Sequence, residues 1–208
     1  LLKGGFYHAG QVCVSVQRIF VHEEICDDVA QRLAAMAKEL IVGDPLDEKT
    51  EVGPLIMPGE VDRVEQWVNE AVEKGAVLLC GGQRLSDFYY APTVLLNPPE
   101  DAKISTQEVF GPVVCIFSYT DRNMAIKQAN ALPSAFQASV FTDSLNAGME
   151  IVKKLNATAV MVNDHTAFRV DWMPFGGRDE SGIGMGGIPY SMEEMTRTKM
   201  MVIKNKNL

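Results

Sequence analysis

The 208-residue sequence predicts an α/β fold in which a largely parallel sheet is flanked by helices. Two observations predict it. Short apolar segments alternate with segments whose apolar residues recur at helical spacing, and this alternation is typical of crossover connections between parallel strands. One apolar segment, residues 113–119, is continuous and β-rich, which indicates a strand buried on both faces. The order of the strands in the sheet stays open.

The predicted elements follow one another along the whole chain. The predicted helices are residues 24–42, 60–74, 121–130 with Asp121 as N-cap, 144–155 and 191–195. The predicted strands are residues 12–21, 76–80, 91–96, 113–119, 137–141, 157–162 and 198–203. Gly43 and Pro45 end the first helix, as a glycine just past a helix and a proline beyond it usually do.

The last predicted strand has no partner segment beside it in the sequence. A terminal strand of this kind often adds to another sheet or to another subunit. We therefore expect a domain of residues 1–195 followed by a C-terminal oligomerisation strand and tail of residues 196–208, and a homo-oligomer, either a dimer or a tetramer.

Bulk composition narrows the functional classes. The net charge is −8, so the sequence has no basic footprint for nucleic acid or an anionic membrane. No apolar run approaches the roughly 20 residues that span a bilayer. The four cysteines form no C-x-x-C pair, so neither a metal site nor a disulfide framework is predicted, and a reducing cytoplasm fits best. The chain begins with Leu1, and we expect a natural start upstream.

One cysteine stands in a setting that suits a nucleophile. Cys13 follows Gly10, which permits a tight turn, and precedes a run of β-type residues. The thiol is therefore predicted at the mouth of a sheet, at the start of a strand. A free cysteine is more often a small buried hydrophobe, and the local sequence leaves both interpretations open.

Three separated motifs occur in a specific order. They are GQVC at residues 10–13, EVFGPV at 108–113, and PFGG at 174–177 followed by SG at 181–182. In this order and spacing the sequence resembles the aldehyde dehydrogenase superfamily, and the likeness runs from Phe6 to about Lys204. It resembles the C-terminal, catalytic half of such an enzyme.

The resemblance implies a reaction and a cofactor. Cys13 would attack an aldehyde carbonyl, the thiohemiacetal would be oxidised by NAD or NADP to a thioester, and water would release the carboxylic acid. Glu108 would accept the hydroxyls of the nicotinamide ribose, and Phe110 would pack near the nicotinamide. The family's general-base glutamate and Gly-rich nucleotide loop lie upstream of the cysteine motif, so these residues alone are expected to be inactive.

Two further residues concern the substrate, a small aldehyde. By the same resemblance, Phe175 forms an aromatic wall of the substrate tunnel. Arg169 would favour an acidic or phosphorylated aldehyde, unless it simply pairs with Asp171. Gln107, Asp179 and Gly186 depart from the family pattern and leave the conformation of loop 178–188 open.

Alternative interpretations also have to be weighed. A cysteine hydrolase would use Cys13 with His8 or His165 as its base, since the two groups need only meet in space. A non-catalytic module would associate through its last strand. Residues 182–187 match the letters of the G-x-G-x-x-G dinucleotide motif, but no strand precedes them and Pro189 follows closely, so a flexible loop is predicted there.

Overall fold

The computed structural model describes residues 1–206. Its helices are α1 (Leu2–Phe6), α2 (Glu23–Lys38), α3 (Pro58–Glu73), α4 (Lys103–Thr106), α5 (Arg122–Ala129), α6 (Leu145–Lys154) and α7 (Ile188–Glu194). Its strands are β1 (Arg18–His22), β2 (Val77–Cys80), β3 (Thr93–Leu96), β4 (Val113–Tyr119), β5 (Ser134–Ala135), β6 (Gln137–Val140), β7 (Ala159–Val162) and β8 (Arg178–Asp179). A single 3₁₀ turn, Tyr7–Gly10, follows α1.

The main sheet has the strand order β1-β4-β3-β2. Strands β1, β4 and β3 are parallel, and β2 is antiparallel at the edge, so the predicted largely parallel sheet is confirmed. Strand β4 lies between two neighbours, and its first five residues are buried. The strand predicted from the continuous apolar run therefore has the bounds that the sequence indicated.

Helices α2 and α3 bury the faces that their periodicity predicts. The buried residues of α2 are Cys26, Ala30, Leu33, Ala34 and Ala37, and those of α3 are Val61, Val64, Val68 and Ala71. They belong to one core with the strands of the main sheet, where each fully buried valine or leucine contributes about 1.5–3 kcal/mol.

Helix α2 ends at Lys38, four residues before its predicted end at residue 42. The apolar residues Leu40, Ile41 and Val42 continue the helical spacing, yet Ile41 accepts backbone hydrogen bonds from Glu51 and Val52, and Val42 forms a bridge with Val52. Pairing with a segment about ten residues further along the chain replaces the last turn of the helix.

A second region is built from shorter strands. Strands β6 and β7 are parallel, as predicted, and β5 pairs with β8 in antiparallel fashion. Strands β5 and β8 have two residues each, which is too short to show the alternation of apolar and polar residues that predicts a strand. Helix α7 begins three residues before its predicted start, and Pro189 lies in its first turn, where a missing N–H costs little.

The predicted strand over residues 12–21 was wrong in its first half. Strand β1 begins at Arg18, and residues 12–15 form a turn in which the Ser15 N–H donates to the Val12 carbonyl at 2.8 Å. The Val16 N–H then donates to the Gly4 carbonyl of α1 at 2.8 Å. Residues 12–16 are therefore of β-forming types but form a turn that is hydrogen-bonded to α1.

Residues 196–205 form neither helix nor strand with the part of the chain that the structure describes. Within them Met200, Met201, Val202 and Ile203 are exposed. Pairing of this segment with another subunit stays a prediction, and residues 207–208 of the predicted tail lie outside the described residues. No helix within residues 1–206 has the length and apolar character to cross a bilayer.

Candidate active site

Cys13 lies on an exposed turn between α1 and β1. The backbone reaches it through His8, Ala9 and Gly10, which have φ values of +50°, +56° and +71°. These three residues lie in the left-handed region and lead the chain into the turn that carries the thiol. Cys13 is exposed, whereas the other cysteines of the chain, Cys26, Cys80 and Cys115, are buried.

Gly10 brings the first two motifs into backbone contact. A Cβ at this position would overlap with the carbonyl oxygen of Gly111, so both the positive φ and the close approach require glycine. The cysteine motif and the EVFGPV motif therefore pack directly on each other. A cleft of about 20 Å³ lies between them, and its lining includes Val12, Gln17, Glu108 and Phe110.

Two hydrogen-bonding side chains fix the cysteine turn from other sides. The Gln11 amide donates from Nε2 to the Pro54 carbonyl at 3.0 Å and accepts from the Ile56 N–H at 2.9 Å. The buried Thr166 hydroxyl, on the loop after β7, donates to the Val14 carbonyl at 2.5 Å. The sequence indicates no role for Gln11 beyond its place in the GQVC motif and does not reveal Thr166, because no local pattern points to partners so far away in the chain.

Glu108 and Phe110 stand exposed at the edge of this cleft. The Glu108 carboxylate forms no hydrogen bond or ion pair with residues 1–206, so its acceptor oxygens are free. Phe110 is 40% exposed and has a φ of +47°. A bulky residue in the left-handed region is an outlier that costs about 1–3 kcal/mol, and such strain clusters at functional sites.

Arg169 and Phe175 lie together, as expected if both serve the substrate. The Arg169 guanidinium carbon is 3.9 Å from the centroid of the Phe175 ring. The Phe136 ring meets the same ring edge-on, with centroids 4.9 Å apart. Among the described residues Arg169 forms no ion pair with Asp171, so its charge is uncompensated. Thr166, three residues before Arg169, connects this loop to the cysteine turn.

The two histidines considered as bases have other contacts. The His8 ring packs against Tyr7, with centroids 5.5 Å apart. His165 accepts the Ala167 N–H at Nδ1, at 3.1 Å. Neither forms a hydrogen bond with the Cys13 thiol within residues 1–206, so the arrangement that a cysteine hydrolase needs is not formed there.

Loop 178–188 supports Phe175 and has no dinucleotide fold. Gly186 and Phe175 exchange two backbone hydrogen bonds of 2.7 and 3.0 Å, and a Cβ at Gly186 would lie 2.9 Å from the Phe175 carbonyl oxygen. Asp179 has a φ of +55°, and its carboxylate accepts from Asn156 Nδ2 at 2.6 Å. Two of the residues that depart from the family pattern, Asp179 and Gly186, therefore fit the backbone in which they stand. The G-x-G-x-x-G letters follow the two-residue strand β8, where no strand was expected, and α7 begins directly after them at Ile188. Because β8 pairs in antiparallel fashion with β5, this segment is not the βαβ unit that the dinucleotide motif needs.

We expect Cys13 to be the fastest of the four thiols to react with a limiting alkylating reagent. Burial raises the pKa of Cys26, of Cys80 and, to about 12, of Cys115, so at about pH 8 those groups carry less thiolate and are closed to the reagent. Peptide mapping after iodoacetamide should show Cys13 modified at least about tenfold faster. The Cys13→Ser chain should lose the fast phase. Preferential modification of a buried cysteine would show that the turn does not present Cys13.

Comparison with known proteins agrees with this architecture. Residues 1–201 match the model of the aldehyde dehydrogenase family. The chain is 43% identical over 198 residues to the 3-sulfolactaldehyde dehydrogenase of Priestia megaterium, covering 95% of this chain and 41% of that protein.

Two solved structures share the fold. One is aldehyde dehydrogenase 21 from Physcomitrella patens in complex with its reaction product succinate, with a TM-score of 0.94, 38% identity, and coverage of 99% of this chain and 42% of that chain. The other is the glyceraldehyde-3-phosphate dehydrogenase GapN from Methanocaldococcus jannaschii complexed with NADP. Its TM-score is 0.88 at 40% identity, and the match covers 93% of this chain and 42% of that chain.

These matches define the class as an α/β protein with the architecture of aldehyde-oxidising enzymes. The chain belongs to the aldehyde dehydrogenase family. It spans about two fifths of the length of the curated relatives that it matches.

Proposed function

We propose that this chain is the portion of an NAD- or NADP-dependent aldehyde dehydrogenase that carries the nucleophile, and that the enzyme oxidises a small aldehyde to a carboxylic acid. One observation carries the proposal. The turn that carries the exposed Cys13 comes into backbone contact with the EVFGPV motif through Gly10 and Gly111, and Glu108, whose carboxylate has no partner among the described residues, lines the cleft between the two motifs.

The chemistry needs a nucleophile that is also a leaving group. The Cys13 thiolate adds to the aldehyde carbon, a C–S bond forms, and the carbonyl oxygen becomes an alkoxide. The backbone N–H of Cys13 is a candidate donor to that oxygen. When bound, the nicotinamide supplies the acceptor for the two electrons and the hydrogen that leave the carbon. Water then cleaves the resulting Cys13 thioester to the carboxylic acid and regenerates the thiol.

Glu108 and Phe110 suit the nicotinamide end of the cofactor. A carboxylate is acceptor-only, and Glu108, which has no partner among residues 1–206, is free to take both hydroxyls of a ribose diol. The exposed Phe110 ring offers an apolar face beside it. GapN is complexed with NADP and the betaine aldehyde dehydrogenase of Staphylococcus aureus with NAD, which supports a nicotinamide cofactor and leaves the choice between the two open.

The test is a chimera in which this chain replaces the matching segment of the Priestia megaterium enzyme. We expect it to reduce NAD or NADP when aldehyde is added. The 208-residue chain alone is expected to be inactive, because Glu108 and Phe110 serve only one end of the cofactor. If a folded chimera reduces no nicotinamide while the chain alone hydrolyses esters, the proposal fails and the cysteine hydrolase is favoured.

The substrate we propose is an aldehyde that carries an anionic group. Arg169 lies on the Phe175 ring with no carboxylate partner among the described residues, and a guanidinium binds carboxylate, sulfonate or phosphate oxygens well. Three relatives fit this proposal by name, since sulfolactaldehyde, glyceraldehyde 3-phosphate and the product succinate are all anions, whereas the lactaldehyde named for the Methanococcus vannielii relative is uncharged.

Arg169→Ala in the chimera should therefore separate anionic from neutral aldehydes. We expect kcat/KM for sulfolactaldehyde to fall about 10- to 100-fold, the equivalent of losing one charge-assisted hydrogen bond of about 1.5–3 kcal/mol. With propanal the change should stay within about threefold. Arg169→Lys keeps the charge without the fork and should give an intermediate loss. Equal losses on both aldehydes would remove Arg169 from substrate recognition.

We also propose a catalytic domain of residues 1–195 in a cytoplasmic homo-oligomer that assembles through the segment 196–204. Four apolar side chains of this segment, Met200, Met201, Val202 and Ile203, are exposed, and their burial against another subunit would be favourable. The free cysteines suit a reducing compartment.

Sedimentation of the intact chain against a version that ends at Met195 tests the assembly. The intact chain should run as a dimer or larger, and the shortened chain should run as a smaller species. If both are monomers at the same concentration, residues 196–204 form no assembly strand.

A further inference from the structure

One side-chain amide, that of Gln17, reaches the loop of Glu108 from the segment between the cysteine turn and β1. Gln17 lies four residues after Cys13, and its backbone carbonyl accepts from the Cys115 N–H at 2.8 Å, which fixes it to the main sheet. Its Nε2 donates to the carbonyls of Ile104, at 3.1 Å, and Gln107, at 2.8 Å. Its Oε1 accepts from the Val109 N–H at 2.9 Å.

These bonds hold the backbone on both sides of Glu108. The Val109 carbonyl is bonded as well, because the guanidinium of Arg63 in α3 donates to it at 2.6 Å. Arg63 is itself fixed by Glu60 at 2.6 Å and by the Trp67 ring, whose centroid is 4.5 Å away. The peptide groups around Glu108 are therefore fixed, while the carboxylate itself remains exposed and unpartnered among residues 1–206.

We propose that Gln17 is a positioning residue that holds Glu108 and Phe110 at a set distance from Cys13 for the nicotinamide end of the cofactor. The inference rests on the proposed role of Glu108. An exposed loop glutamate would otherwise lose conformational entropy on binding, and a loop that is already ordered loses less. Gln17 lies four residues after Cys13 and bonds to the backbone on both sides of Glu108, so it connects the segment that follows the cysteine turn with the Glu108 loop.

Hydrogen exchange in the 208-residue chain tests the contact. Gln17→Leu keeps a branched side chain of similar size and removes all three bonds, so the Val109 amide should exchange at least about tenfold faster. Gln11→Leu is the matched control, because the Gln11 amide accepts from the Ile56 N–H instead. It should accelerate exchange at Ile56 and leave Val109 unchanged. Unchanged exchange at Val109 in the Gln17→Leu chain would overturn the proposal.

The kinetic test separates positioning from general stability. In the chimera, Gln17→Leu should raise the cofactor KM about tenfold with kcat and the rate of Cys13 alkylation nearly unchanged. Glu108→Gln should also raise the cofactor KM, and the double variant should be little worse than Glu108→Gln alone, because Gln17 acts through Glu108.

The outcomes distinguish two failures. If Glu108→Gln leaves the cofactor KM unchanged, the cofactor role of Glu108 is wrong and the inference falls with it. If Glu108→Gln raises the KM while Gln17→Leu does not, or if the two effects add fully, Glu108 keeps its role and the positioning by Gln17 is refuted.

Discussion

Cys13→Ser is expected to lower turnover by the chimera at least about a thousandfold, the largest effect that any substitution in this chain should produce. Serine has nearly the same size, but its hydroxyl is far less ionised than a thiol, and neither His8 nor His165 is bonded to position 13 to activate it. Because fewer covalent adducts form with the aldehyde, less material is available for the oxidation step.

Steady-state reduction of the cofactor measures this loss, and mass spectrometry should find an acyl group only on the peptide with Cys13. Cys26→Ala is the matched control, since that thiol is buried in α2 and should matter for stability alone. If Cys13→Ser keeps more than about a tenth of the activity, a different group is the nucleophile.

Gly10→Ala is expected to destabilise the chain by about 2–4 kcal/mol, measured by urea unfolding. The new methyl group meets both the left-handed backbone at φ +71° and the carbonyl oxygen of Gly111. The cysteine turn must shift to accommodate it, so alkylation of Cys13 should change as well.

Substitutions at two other glycines separate the cost of backbone strain from the cost of the contact with Gly111. Gly75 has a φ of +109° with no atom within 4 Å of an added Cβ, so Gly75→Ala reports the backbone strain alone, about 1–2 kcal/mol. Gly53 has open space and an ordinary φ, and Gly53→Ala should stay within about 0.5 kcal/mol of the parent. A Gly10→Ala chain no less stable than Gly75→Ala would mean that the contact with Gly111 is unimportant.

The elements that the sequence predicted well are those whose burial depends on local pattern. The continuous run of β4 and the four-residue apolar face of α3 require no knowledge of distant partners. The errors arise where the backbone pairs with a segment ten or twelve residues away instead of continuing the local pattern. Val42 pairs with Val52 and shortens α2, and Val16 bonds to Gly4 and delays the start of β1.

The candidate site divides in the same way. The motif residues Cys13 and Glu108 are predicted by resemblance. For Arg169 the sequence leaves two possibilities, binding of an anionic substrate or an ion pair with Asp171. Gln17 and Thr166 were missed, because a side chain that bonds to the backbone of a remote loop leaves no spacing or composition signal. Such residues emerge only when the chain has been folded in three dimensions.

The hydroxyl of Thr166 has a consequence for the order of assembly during synthesis. It reaches the Val14 carbonyl across 152 residues, and the same turn also needs Gly111 and the loop at Pro54. The residues around Cys13 leave the ribosome before their supports do. We expect the turn to acquire its final shape only after β7 and the loop with Thr166 have been synthesised, so a local segment waits for a contact made much later in the chain.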